Sequence, residues 1–435
     1  MLEFAVTAGM PLLLLLLAAI AGPSSAFVPH SPSAPSHTQI APARRVVLAS
    51  AADANDAAAD AAAPPAAASE DETAAATATE PKKNKATLGF ITFDLDDTLY
   101  PVGPVFTEAN QAFANAMHRF GYDGIQPNDI AETGRAVREE MAAQSSDQQA
   151  ASALSFTDTR LRAIRRQMEG VRLLRSLEDV AREWATPISG LSPVVVDNCK
   201  VFAAKEVPDS QVQAVYNAWE MERHHSAERH LYPEVIEVLE TIKREHPGVV
   251  IGAVTDGRAN PLLMPFTLAP YFDFCVSWED DQGGRQKYFQ ELNEATDGEQ
   301  LMWIYEAALD KYRDFESLRT GLRKRDDETC EVGERDCERI WVHCGDDLAY
   351  DVGGSAACGA RTILMELADK YEQTERVDKR KKARPIWDLM SKAEIEQREQ
   401  MNELAEKEVT ARVAFLSRLP DTINDILEDI DQQVR

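Results

Sequence analysis

The sequence predicts an α/β protein carrying a long helical insertion, and three observations predict it. Short apolar runs rich in β-formers end in acids, hydroxyls or glycine at Leu88 to Phe93, Gly248 to Asp256 and Arg339 to Asp346. Roughly 150 residues separate the first two runs, more than a loop in a compact domain holds. Within that stretch apolar side chains recur every three or four residues, at Phe106, Ala109, Phe113, Met117 and Phe120, then at Val171, Leu174, Leu177, Val180 and Trp184.

The chain has 435 residues, which suggests two or three domains, and its hydrophobic content of 44% supports a sizeable core. It carries 46 Lys plus Arg against 73 Asp plus Glu, a formal charge of −27. That balance argues against nucleic acid as a partner and disfavours docking on anionic membranes. An anionic substrate would need positive charge supplied locally, by a metal or a few basic residues.

Residues 1–85 read as outside the fold. Leu12 to Gly22 is an apolar run of signal-peptide length, and Ser24, Ser25 and Ala26 offer small residues for cleavage. Residues 27–52 hold no acid, are rich in Ser, Pro and Ala, and include Arg44 and Arg45. This order, with its Ala26-Phe27 junction, resembles the bipartite presequence of algae with secondary plastids, which implies the plastid stroma; plain secretion is the alternative. Asp53 to Glu80 is Ala-rich and acidic and reads as a linker. No later apolar run is long enough to span a membrane, so no membrane association is expected of the mature chain.

The first strand ends in Asp94-Leu95-Asp96-Asp97-Thr98. Three carboxylates make no sense as core, but at the carboxyl end of a parallel strand they sit where open α/β sheets place ligands. Two of them, two residues apart, can converge on one Mg²⁺ after a sharp turn, or serve as nucleophile and proton carrier. The second strand ends in Thr255-Asp256-Gly257, whose hydroxyl and following amides can hold phosphoryl oxygens. The third ends in Gly345-Asp346-Asp347, with Asp351 a turn further on. Asp346 can complete a metal site and Asp351 can orient water or neighbouring groups.

In this order the motifs resemble those of the haloacid dehalogenase-like (HAD) hydrolase superfamily, over about residues 88 to 366. The resemblance implies a doubly wound, Rossmann-like parallel core sheet with an inserted all-helical cap domain. Residues 86–105 and 231–435 would form the core and residues 106–230 the cap. It implies Asp94 as nucleophile and Asp96 as general acid/base. It implies Mg²⁺ held by Asp94, the backbone carbonyl of Asp96, and Asp346, with Asp351 beside them. Thr255, Asp256 and Gly257 would bind the phosphoryl group. Relatives that cleave carbon–halogen bonds lack an Asp at the position of Asp96, so the resemblance favours phosphoryl transfer from a small phosphorylated substrate.

The resemblance also implies a third-motif Lys or Arg after the strand at Asp273 to Trp278. No Lys-Pro follows there; Lys287 is the expected base and Arg285 its rival. The alternative to a phosphatase is a catalytically weak HAD-like protein that binds a phosphorylated ligand or a partner.

Further expectations concern the rest of the chain. Arg160, Arg162, Arg165 and Arg166 are expected on a solvated helix face, and His224, His225 and His230 at the surface. Cys330 and Cys337 bracket an acidic stretch and read either as free thiols or as a redox pair. The core is expected to close with a strand at Val413 to Leu416 and a helix bearing Ile423, Ile426, Leu427 and Ile430.

Overall fold

The computed structural model describes residues 86–144, 155–279, 303–326, 339–371, 373 and 392–433. The presequence, Arg285 and Lys287, Cys330 and Cys337, and the basic run at Lys379 to Lys382 lie outside the described residues. No described helix is long and apolar enough to cross a membrane.

The core is a six-stranded sheet of β1 (Thr87–Phe93), β2 (Val250–Thr255), β3 (Phe274–Ser277), β4 (Arg339–Gly345), β5 (Arg361–Met365) and β6 (Ala411–Val413), in the order β3-β2-β1-β4-β5-β6. Every neighbouring pair is parallel. A parallel sheet buried on both faces needs near-continuous apolar strands, because alternate side chains enter opposite cores. In β1, Ile91 and Phe93 face one core while Phe90 faces the other; Val342 and Trp341 divide likewise in β4.

Helices cover both faces. On one lie α6 (Val235–Glu245) and α9 (Leu419–Gln433), through Val238, Leu239, Ile242, Ile423, Ile426 and Leu427. On the other lies α7 (Trp303–Asp326), through Ile304, Tyr305 and Ala308. This is the doubly wound α/β fold that the motif order implied. The closing strand is Ala411–Val413, slightly earlier than Val413 to Leu416, where Leu416 instead begins a short 3₁₀ turn.

Between β1 and β2 every described regular element is helical: α1 (Val102–Arg119), α2 (Asp129–Gln144), α3 (Phe156–Glu183), a 3₁₀ turn, α4 (Pro193–Lys205), α5 (Asp209–Arg229) and α6. Helix α3 starts at Ser155, whose Oγ accepts from the Asp158 amide at 2.9 Å, a side-chain cap of the first turn. Helices α1 and α5 pack along their lengths, with Phe106, Phe113 and Met117 of α1 buried with Val215, Tyr216 and Trp219 of α5. Asn110 Oδ1 accepts from Trp219 Nε1 at 2.9 Å, so the buried indole keeps its hydrogen bond.

Two surface expectations are corrected here. Arg160 is buried, because it shares the inner stripe of α3 with Ala163, Ile164 and Met168, whereas Arg165 and Arg166 pair at the surface with Asp209 and Glu140. His224 is also buried, on the inner stripe of α5 with Trp219 and Ala227; its Nδ1 lies 2.9 Å from the Glu220 carbonyl. His225 is exposed, and half-buried His230 meets Glu108 at 3.0 Å.

Candidate active site

The strand order reverses about the central pair β1 and β4, so their carboxyl ends open a crevice at the point where such sheets bind ligands. Asp94 is the first residue past β1, and its amide donates to the Cys344 carbonyl at 2.9 Å. The chain then turns sharply: the amides of Thr98 and Leu99 donate to the Leu95 carbonyl at 3.3 and 3.0 Å. Thr98 Oγ1 donates to Asp94 Oδ2 at 3.3 Å and so braces the first carboxylate. Asp97 holds φ at 59°, a left-handed conformation that Asp tolerates. Its Oδ1 accepts from the Val102 amide at 2.9 Å and so anchors the start of α1. Asp97 therefore serves the turn.

Asp94, Asp346 and Asp351 each offer a carboxylate oxygen, and these atoms lie within 4.8 Å of one another. An all-oxygen set of that span fits a hard divalent cation. Asp351 owes its position to a glycine. A Cβ on Gly345 would fall 2.1 Å from Asp351 Oδ2, so only glycine admits that side chain. Asp351 Oδ2 accepts from the Asp347 amide at 2.9 Å, and Oδ1 from Tyr305 Oη at 3.2 Å.

Behind it lies a buried polar chain. Trp341 Nε1 donates to Thr92 Oγ1 at 2.9 Å, and Thr92 Oγ1 lies 2.7 Å from His343 Nδ1. On the far side of the ring, His343 Nε2 lies 3.5 Å from Asp351 Oδ1.

Asp96 stands apart from the carboxylate cluster. Its Oδ2 accepts from Arg223 Nη2 of α5 at 2.5 Å, so its side chain faces the helical insertion. Tyr100 is buried beside the pair; burial first, then the Asp96 charge, push its hydroxyl well above the ordinary tyrosine range. Thr255 is buried at the end of β2, and its Oγ1 accepts from the Gly257 amide at 3.3 Å, which leaves the hydroxyl proton to donate elsewhere. Ser277 Oγ of β3 donates to the Gly257 carbonyl at 2.5 Å and fixes this loop against the sheet. Asp256 is half-buried beside it.

Sequence reasoning missed three contributors. Arg223 and Tyr305 come from the insertion and from α7. The third, Arg398, comes from α8 (Lys392–Ala405), which packs on the π-helical turn Leu348–Gly354. Its guanidinium pairs with Asp347 and lies 4.9 Å from the Tyr350 ring centroid. Burial lowers its proton affinity, and the charges of Asp256, Asp346 and Asp94 oppose that loss. A cation thus stands among the acids of the crevice, delivered by an element remote in sequence. The meeting of Asp94, Asp346 and Asp351 was legible from motif spacing; Arg398 had no local signal.

No family model and no curated protein matches the chain. Solved structures do. A 2-haloacid dehalogenase from Pseudomonas syringae pv. Tomato DC3000 is 16% identical, with 78% of this chain and 99% of that one covered and a TM-score of 0.43. A HAD phosphatase from Thermococcus onnurineus is 15% identical, over 77% and 98%, with a TM-score of 0.31. A phosphonoacetaldehyde hydrolase-like protein from Oleispira antarctica is 13% identical, over 80% and 96%, with a TM-score of 0.32. Likeness at these levels carries no argument about chemistry, which stands on the residues above.

Proposed function

We propose that this protein is a Mg²⁺-dependent phosphatase that hydrolyses a small phosphorylated metabolite through an aspartyl-phosphate. One observation carries the reading. Asp94 and Asp96 leave the same strand end, yet one carboxylate joins Asp346 and Asp351 while the other faces the helical insertion. That split suits a nucleophile on the phosphate side and a proton carrier on the leaving-group side.

In this reading Asp94 attacks phosphorus in line and the ester P–O bond breaks. Asp96 gives the leaving oxygen a proton, then takes one from the water that hydrolyses the aspartyl-phosphate. Thr255 and the amides that follow it hold the phosphoryl oxygens. Asp94, Asp346 and Asp351, with the Asp96 carbonyl, would hold Mg²⁺, which supplies charge that offsets repulsion between carboxylate and phosphate. Arg398 adds positive charge near the acids, the task the family gives its third-motif base, for which Lys287 remains the sequence candidate. The helices between β1 and β2 act as a cap that excludes water. The presequence directs the chain to a plastid.

A binding-only role has one observation in its favour: Asp96 is held by Arg223 rather than presented to the crevice. Phosphate release by the full chain from p-nitrophenyl phosphate, with Mg²⁺ or with EDTA, separates the two. Metal-dependent release supports the phosphatase. Phosphate binding without release by folded protein supports the other.

A further inference from the structure

Two arginines of the helical insertion are buried where the acid/base carboxylate meets it. Arg223 is 2% exposed and Arg160 is 8% exposed. Burying a guanidinium is costly unless its five N–H donors are used. Arg223 spends Nη2 on Asp96, while its buried Nε and Nη1 have no hydrogen-bond partner among the described residues. Arg160 makes no ion pair among the described residues. Its guanidinium carbon lies 4.2 Å from the Trp219 ring centroid, and both arginines face the Phe106 ring, at 5.5 Å for Arg160 and 5.4 Å for Arg223.

The nearby acids form no ion pair with Arg160, although the charge of Glu279 supports its guanidinium. Glu220 pairs with Arg258 Nε at 3.0 Å, and both Glu279 oxygens accept from the Thr157 amide at 3.1 Å. Arg223 also borders the phosphoryl-binding loop, since a Cβ on Gly257 would fall 3.3 Å from its Nη2. The two guanidinium groups therefore stand on the leaving-group side of Asp96, with unspent donors and an aromatic wall.

We propose that the substrate carries a second anionic group, a carboxylate or another phosphate, on the part of the molecule that leaves. This oxyanion binds Arg223 and Arg160. It displaces Asp96 as the partner of Arg223, which frees the Asp96 carboxylate to turn toward the ester oxygen. The ion pair seen without substrate thus holds the acid/base residue back until the correct leaving group arrives. The inference rests on the phosphatase reading and adds the class of substrate.

The test compares esters that differ only in the second charge. Phosphoglycolate, phosphoglycerate and ethanediol bisphosphate are measured against hydroxyethyl phosphate and glycerol phosphate, using the full chain with Mg²⁺. At least one anionic ester is expected to exceed its neutral counterpart in kcat/KM by about tenfold or more, as charge-assisted hydrogen bonds imply. Arg223→Gln and Arg160→Gln are expected to erase that ratio, and Arg223→Lys to keep part of it. The ratio within one preparation is insensitive to how much of a variant folds. The carboxylate and bisphosphate arms identify which oxyanion is read. Equal use of charged and neutral esters, or a ratio that survives both Gln variants, would overturn the proposal. Should no ester be hydrolysed, the phosphatase reading fails, and calorimetric binding of the same pairs to Asp94→Asn protein decides this one. Tighter binding of the charged member, lost in Arg223→Gln, upholds it; equal binding sinks it.

Discussion

At the scale of single residues, the crevice depends on a few side chains with no room to vary. Gly345→Ala puts a methyl group where Asp351 Oδ2 now lies, 2.1 Å away. We expect it to displace Asp351, to cost about 1–3 kcal/mol of stability, and to weaken divalent-cation binding by calorimetry. Unchanged affinity would show that Asp351 is no ligand. Arg398→Gln removes a cation on which the charges of Asp256, Asp346 and Asp94 act. If that charge offsets the phosphate's, kcat falls by about 10²-fold, and Arg398→Lys restores part of it. Steady-state rates at saturating substrate check this, and an unaltered kcat would return the task to Lys287. Arg160 and Arg223 were readable in principle. Arg160 shares a helical stripe with Ala163, Ile164 and Met168, and Arg223 with Tyr216, Trp219 and Ala227. A charge on an apolar stripe is the signal of a buried site. For Arg160, counting the basic stretch as one solvated face hid that signal, because neighbours in sequence point in different directions on a helix.

At the scale of elements, α1 and α5 are joined by polar ties as well as by packing. Trp219→Ala removes a side chain only 1% exposed, together with its bond to Asn110 and its contact with Arg160. Thermal or denaturant unfolding should show a loss of about 3–5 kcal/mol. Glu108 of α1 is bound by Ser226, Arg229 and His230 at the end of α5. Burial alone would raise its pKa, but hydrogen bonds from Ser226, His230 and Arg229 bring it from 4.5 down to about 2. A depressed folded pKa means the carboxylate stabilises the fold above its unfolded value. That contribution disappears as pH falls from 4.5 through about 2. Glu108→Gln should therefore flatten the acid limb of the unfolding temperature over that window and leave its slope near neutrality unchanged. The strands were the most legible elements, since Leu88 to Phe93 and Arg339 to Gly345 are apolar on both faces as a buried parallel sheet demands. Helix α8 was least legible in its role, because a mixed-charge helix reveals nothing of where it docks.

At the scale of the whole molecule, an acidic chain gathers three carboxylates, Asp94, Asp346 and Asp351, at the ends of β1 and β4, and sets guanidinium groups near them and near Asp96. Those groups come from elements far apart in sequence: Arg160 and Arg223 before β2, and Arg398 after β5. The net charge of −27 makes such local concentration necessary for any anionic substrate. The doubly wound sheet was legible through its strand ends, whereas the cationic half of the crevice was not, because it forms only when the insertion and α8 fold over the sheet. The central claim is that Asp94 becomes phosphorylated during turnover. The most direct measurement is acid quenching of the full chain with Mg²⁺ and a hydrolysed phosphate ester, followed by mass spectrometry of the peptide containing Asp94. The account predicts one added phosphoryl group on Asp94, absent in Asp94→Asn protein and absent with EDTA. Turnover at the wild-type rate by the Asp94→Asn variant would contradict it.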